Sequence, residues 1–253
     1  MNEKLRKIGI IIGIVVGVLV LVGVIGVVSL TPKFNKGNVT MMDSRLGYKY
    51  TITKEGVQIH SAYMMKTPKD GRLEIPGKIW GKPVILVRLS GLPDGVTSVH
   101  IPDSVTFFDG IYDCKNLVEI TGGANIETCS NMFCCAQECD ALKHVEFLEK
   151  NRLGKLNNFA QNCKSLETVT IGGEIKEIDS SAFADCASLQ FITFGKNVEV
   201  VRKGAFYNCP ALTSVTFLNE DVVIEEGAFA GCPWAESPEG KAFIEAHKKI
   251  AEN

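Results

Sequence analysis

The chain has 253 residues, 22% charged and 45% apolar, with a formal net charge of -2. That length buries a substantial core and the composition is that of a folded protein, which excludes wholesale disorder. The lack of any basic stripe excludes nucleic acid as the expected partner, because phosphate binding needs clustered Lys and Arg.

Residues 8–30 read IGIIIGIVVGVLVLVGVIGVVSL and carry no charge. As a helix rising 1.5 Å per residue they would span roughly 34 Å, enough to cross a bilayer. Lys4, Arg6 and Lys7 precede the run. The positive-inside tendency therefore predicts a cytoplasmic tail (1–7), a single-pass anchor in the cell membrane (8–30) and an extracellular remainder. A cleaved signal peptide is the alternative, but its apolar region runs about 7–15 residues and ends in small residues, whereas this longer run ends VVSLTPKF. Gly9, Gly13 and Gly17 recur every four residues, which makes a groove through which a second helix could form a homodimer; glycine is also common in membrane helices generally. The 27 basic and 29 acidic residues, less the three bases and Glu3 of the tail, leave 24 against 28. The outer part is mildly acidic and is not expected to cling to anionic lipid.

A linker is expected over 31–47. Residues 48–60, YKYTITKEGVQIH, predict two short strands about Lys54-Glu55-Gly56. This hairpin opens an N-terminal β cap (48–72) that shields the exposed end of a repeating region.

That region begins at Leu73. Cys114, Cys139, Cys163, Cys186, Cys209 and Cys232 stand at intervals of 25, 24, 23, 23 and 23 residues, the period of a solenoid. Three residues after each of the first five comes Leu117, Leu142, Leu166, Leu189 or Leu212, and three further Ile120, Val145, Val169, Ile192 or Val215. Phe147, Ile171, Phe194 and Phe217 stand two positions on, giving L-x-x-h-x-h, whose tail alternates as a short strand does. The return leg places Ile178, Val201 and Ile224 four residues before the Ala of Ala182-Phe183, Ala205-Phe206 and Ala228-Phe229, a core signature. The repeats are set at 73–235. Beyond them Ser237 and Pro238 start a capping helix (236–253) whose Phe243, Ala246, His247 and Ile250 share a face.

The whole pattern, with L-x-x-h-x-h and A-F-x-x-C in phase, resembles the BspA-like, or Treponema-type, leucine-rich repeat family. LEIPGKIWGKPVILV at 73–87 is similar to the opening of such domains, and VTSVHIPDSV at 96–105 supplies an early strand. The resemblance implies a leucine-rich repeat solenoid of about six to seven rungs and a microbial surface protein engaged in adhesion. The sequence departs from the pattern between about Gly122 and Asn162, where IETCSNMFCCAQEC carries extra residues and FAQNC replaces A-F-x-x-C.

The ladder cysteines are expected as buried thiols. Cys129, Cys134, Cys135 and Cys139 are denser, but C-x4-C-C-x3-C is not a familiar zinc spacing, so metal, disulfide and ordinary packing stay open there and no metal or other cofactor is assigned. No catalytic motif is found, and four scattered histidines compose no site; the protein is not expected to be an enzyme. What remains is surface. With the L-x-x-h-x-h strands lining the concave side, as the resemblance implies, one outward row is Glu119, His144, Thr168, Phe191 and Ser214. A second is Thr121, Glu146, Thr170, Thr193 and Thr216, extended by His100. Phe191, an outward aromatic among small polar residues, is the expected hot spot for a protein or other cell-surface macromolecule. The alternative is a structural envelope component oligomerising through its transmembrane helix.

Overall fold

The computed structural model describes residues 33–35, 38–43, 47–62, 67–129 and 139–248. The expected anchor, with Gly9, Gly13 and Gly17, lies outside the described residues, as do Cys134, Cys135 and Ile250. Among the described residues no helix is long and apolar enough to cross a membrane.

The alternating h-x-h segments form seven short parallel front strands: Arg72–Glu74, Ser98–Ile101, Glu119–Gly122, His144–Val145, Thr168–Ile171, Phe191–Phe194 and Ser214–Phe217. The back of the solenoid is built by Thr128–Cys129, Lys155–Leu156, Glu177–Ile178, Val200–Val201 and Val223–Ile224, preceded by the longer Lys82–Ser90 and Phe107–Tyr112. Between the two faces lies one continuous apolar core, where Ile178, Val201 and Ile224 meet Val169, Ile192 and Phe194.

Each rung is stapled to the next by its A-F turn as well. Phe183 N–H donates to Ala205 C=O (2.8 Å) and Phe206 N–H to Ala228 C=O (2.9 Å). The rings stack beneath: Phe183 lies 5.3 Å from Phe206 and Phe206 lies 5.1 Å from Phe229. In the departing Phe159-Ala160 pair the order is reversed, yet Phe159 is still buried and its ring reaches Phe183 at 5.9 Å.

The ladder cysteines are buried thiols, and they do more than fill space. Cys186, Cys209 and Cys232 donate S–H to the carbonyls of Ala160, Phe183 and Phe206, 26 residues back, at 3.2, 3.2 and 2.9 Å. Cys129 and Cys139 are thiols too. The Cys186 thiol pushes Cys209 up to about 12, and the Cys209 thiol together with burial raises Cys232 further. A raised thiol favours the fold only while protonated. Its contribution is therefore complete below the ordinary value near 9 and declines as pH rises from there through about 12. Iodoacetamide at pH 8 is expected to leave Cys209 unlabelled in the native chain and to label it after unfolding in guanidinium; rapid native labelling would contradict this burial.

The cap is larger than expected. The 48–60 hairpin forms as Tyr48–Ile52 and Val57–Ser61. Residues 31–47, read as a linker, contain two further strands, Lys33–Asn35 and Asn38–Asp43, that extend it antiparallel. Lys78–Ile79 turns back on Lys82–Ser90 through Trp80 and Gly81, both at positive φ (53° and 77°), as the tightest hairpin turn requires.

Two helices close the other end: α1, Pro233–Glu236, and α2, Pro238–His247. Ser237 caps α2 by accepting from Gly240 N–H at 3.0 Å. Phe243 stacks on Phe217 at 4.7 Å, as Phe217 stacks on Phe194 at 4.5 Å, so the helix supplies the aromatic of a missing rung. Ile244 packs on the core beside Phe243, whereas Ala246, expected on that face, is exposed because the helix presents it to solvent.

Candidate functional site: the front face of the repeats

The strand registers decide which side chains stand side by side. Arg72, Ser98, Glu119 and His144 are aligned, and so are Thr168, Phe191 and Ser214. Two residues on, Glu74 aligns with His100 and Thr121, and Thr170 with Thr193 and Thr216. The structure thus gathers the sequence-derived rows onto one face, Glu146 excepted. It adds three residues that sequence reasoning missed, Arg72, Glu74 and Ser98. They were legible as the outward neighbours of Leu73 and Val99, whose h-x-h phrases match the later strands.

Side-chain hydrogen bonds link neighbours within each row at the N-terminal end. Ser98 Oγ donates to Glu119 Oε2 at 3.4 Å, and His100 Nδ1 lies 2.9 Å from Thr121 Oγ1. Toward the other end the face is threonine and serine around Phe191, 49% exposed. A ring held by a rigid strand loses little freedom when a partner covers it.

Glu146 is not in its row. After Val145 the chain enters a 3-10 turn, Glu146–Leu148, instead of continuing the strand. Leu148, which strand alternation from Val145 would not turn inward, is buried. The Glu146 carboxylate accepts from Gly122 N–H at 2.8 Å and terminates the neighbouring strand. This turn splits the front into a four-stranded and a three-stranded ladder. Between them lies a cleft of about 170 Å³ lined by Lys143, His144, Val145, Leu148, Leu166 and Thr168 among others. Among the described residues no cluster of His, Cys, Asp or Glu could hold a metal ion.

Stacked parallel strands with a period near 23 residues and a recurring h-x-h front define a leucine-rich-repeat protein. Residues 112–236 match the model of the BspA type leucine rich repeat region in six copies, so this stretch is built of repeats of that type. A T. pallidum leucine-rich repeat protein of known crystal structure has the same fold, with a TM-score of 0.60 and 22% identity over 82% of this chain and 97% of that one. A leucine rich cell surface protein from Faecalibacterium prausnitzii A2-165 is 18% identical (TM-score 0.42, 78% of this chain and 54% of that one). A leucine-rich repeat protein from Eubacterium ventriosum is 20% identical (TM-score 0.42, 75% and 51%). No curated protein matches. Repeats of this class are generally protein-interaction modules.

Proposed function

We propose that the chain is a membrane-anchored recognition protein, held by residues 8–30 with its N-terminus cytoplasmic and its repeats extracellular. It binds a protein at the cell surface through the front sheet, in adhesion or recognition, without catalysis. The observation that carries this reading is the exposed Phe191, flanked in register by Thr168 and Ser214, with Thr193 two residues on along its own strand. A flat, rigid, repeated sheet recognises macromolecules by many distributed contacts around a few anchors.

The purified full chain in detergent is expected to bind at least one of a panel of immobilised matrix proteins or intact cells. Phe191→Ala should weaken that binding about tenfold, or about 1.4 kcal/mol. Tyr207→Ala, which removes an exposed ring on the A-F turn instead, should leave it unchanged. Equal binding by the Phe191→Ala variant and the parent overturns the assignment to this face.

A further inference from the structure

We propose that the cleft between the two front ladders binds a neutral carboxamide side chain, Asn or Gln, carried on an extended segment of the protein partner; this rests on the front face being the recognition surface. One hydrogen-bond pattern repeats along the chain. At each regular step the residue before a front strand and the first residue of that strand both donate to one carbonyl of the previous rung. Val118 and Glu119 donate to Thr97 C=O at 2.8 and 3.2 Å, Lys143 and His144 to Val118 C=O at 2.9 and 3.3 Å, and Gln190 and Phe191 to Glu167 C=O at 2.9 and 3.3 Å.

At one step the pattern fails. Glu167 and Thr168 should donate to Lys143 C=O, but among the described residues no backbone hydrogen bond joins these segments. The Glu146–Leu148 turn draws the earlier rung aside, and the two meet again only where Gly172 N–H donates to Leu148 C=O at 2.8 Å. On a parallel strand the N–H and C=O of one residue face the same neighbour, so one lip of the cleft offers Lys143 C=O with Val145 C=O and N–H, and the opposite lip offers the N–H and C=O groups of Thr168 and Thr170. Its floor is apolar, made of the buried Val145, Leu148, Leu166 and Val169.

A ligand for this site must both donate and accept within a volume near that of one side chain. A primary carboxamide does both with a single planar group, and its methylenes match the floor. A hydrocarbon would dry the lips without satisfying them, which is costly. Lys143 Nζ and Glu167 Oε1 pair with each other at 3.5 Å across the mouth, while Glu149 also lines the cleft, so an arginine analogue is the control for a cationic ligand. Phe191 stands one rung from Thr168. In an extended peptide alternate side chains are about 7 Å apart, while rungs are about 4.8 Å apart. A segment resting on Phe191 therefore brings a second side chain over the cleft.

The test is an NMR titration of the ¹⁵N-labelled full chain in detergent with N-acetyl-glutamine methylamide, alongside the leucine and arginine analogues and N-acetylglucosamine. Saturable shifts of the Glu167, Thr168 and Thr170 amides by the glutamine compound, at least tenfold tighter than by the others, are expected. Thr168→Phe should abolish them by covering the mouth, and it should fold, because the aligned residue of the next rung is already Phe191. The parent-chain comparison stands by itself should that variant unfold. Absence of saturation, an equal response to the leucine or arginine analogue, or tighter binding of the sugar overturns the inference. If Phe191→Ala abolishes capture of a macromolecular partner and Thr168→Phe does not, the cleft is excluded while the front-face reading stands; if Phe191→Ala leaves capture intact, that reading falls first.

Discussion

Replacing Phe206 by alanine is expected to destabilise the repeats by about 3–5 kcal/mol, the range for removing a buried phenylalanine without refilling its space. Its ring is fully buried, sandwiched between Phe183 and Phe229, and it meets Phe194 edge-on at 5.5 Å. No neighbour can collapse into the gap without leaving its own stack. In a solenoid each rung is stabilised chiefly by its neighbours, so the loss passes to both sides. Calorimetry should show the melting temperature of the full chain falling by roughly 10 °C, with amide exchange rising at the rungs of Cys186 and Cys232. Phe159, at the end of the stack and tilted 49° to Phe183, should cost less. A loss below about 1 kcal/mol for Phe206→Ala would mean that the aromatic column is not what holds the rungs.

That column was legible in the sequence because its cause is periodic. Phe183, Phe206 and Phe229 recur with their cysteines at one interval, and every residue read as inward from that phase in the last repeats is buried or packed on the core. A second periodic signal passed unread. Asp113, Asn162, Asp185 and Asn208, each directly before a ladder cysteine, have positive φ between 52° and 62°. Asp and Asn tolerate that conformation better than most residues, and their recurrence marks the turn into each front strand.

What the pattern could not give was the interruption. VEFLEK satisfies the h-x-h template through Val145 and Phe147, yet the chain turns at Glu146. A tertiary contact, the Glu146 carboxylate on Gly122 N–H 24 residues back, holds that turn and no local spacing encodes it, while the Asn151 side chain adds a local bond to Leu148 C=O. The strands at 33–43 escaped for a similar reason. Asn38–Asp43 is held as a strand by pairing with Tyr48–Ile52. The front rows thus hold within each ladder except at Glu146, which leaves its row, and the cleft between the ladders was invisible.

The turn at Asn151 makes Gly173 a doubly constrained glycine next to that cleft, and Gly173→Val is expected to cost about 3 kcal/mol. Two effects combine. The backbone there has φ +61°, which costs a β-branched residue about 1–2 kcal/mol. A Cβ would also stand 2.6 Å from Asn151 O and 2.7 Å from Asn151 N, backbone atoms that cannot swing aside. Asn151 is itself fixed, its Nδ2 donating to Leu148 C=O at 3.1 Å and its Oδ1 accepting from Leu153 N–H at 2.8 Å. Gly173→Asn separates the two effects, since asparagine tolerates the dihedral but meets the same wall. Both variants should lower the melting temperature, valine more. Both should also speed exchange of the Gly172 amide, whose bond to Leu148 closes the inner end of the cleft. An asparagine variant as stable as the parent would show that this wall yields, and that the interruption in the front ladder is loosely held.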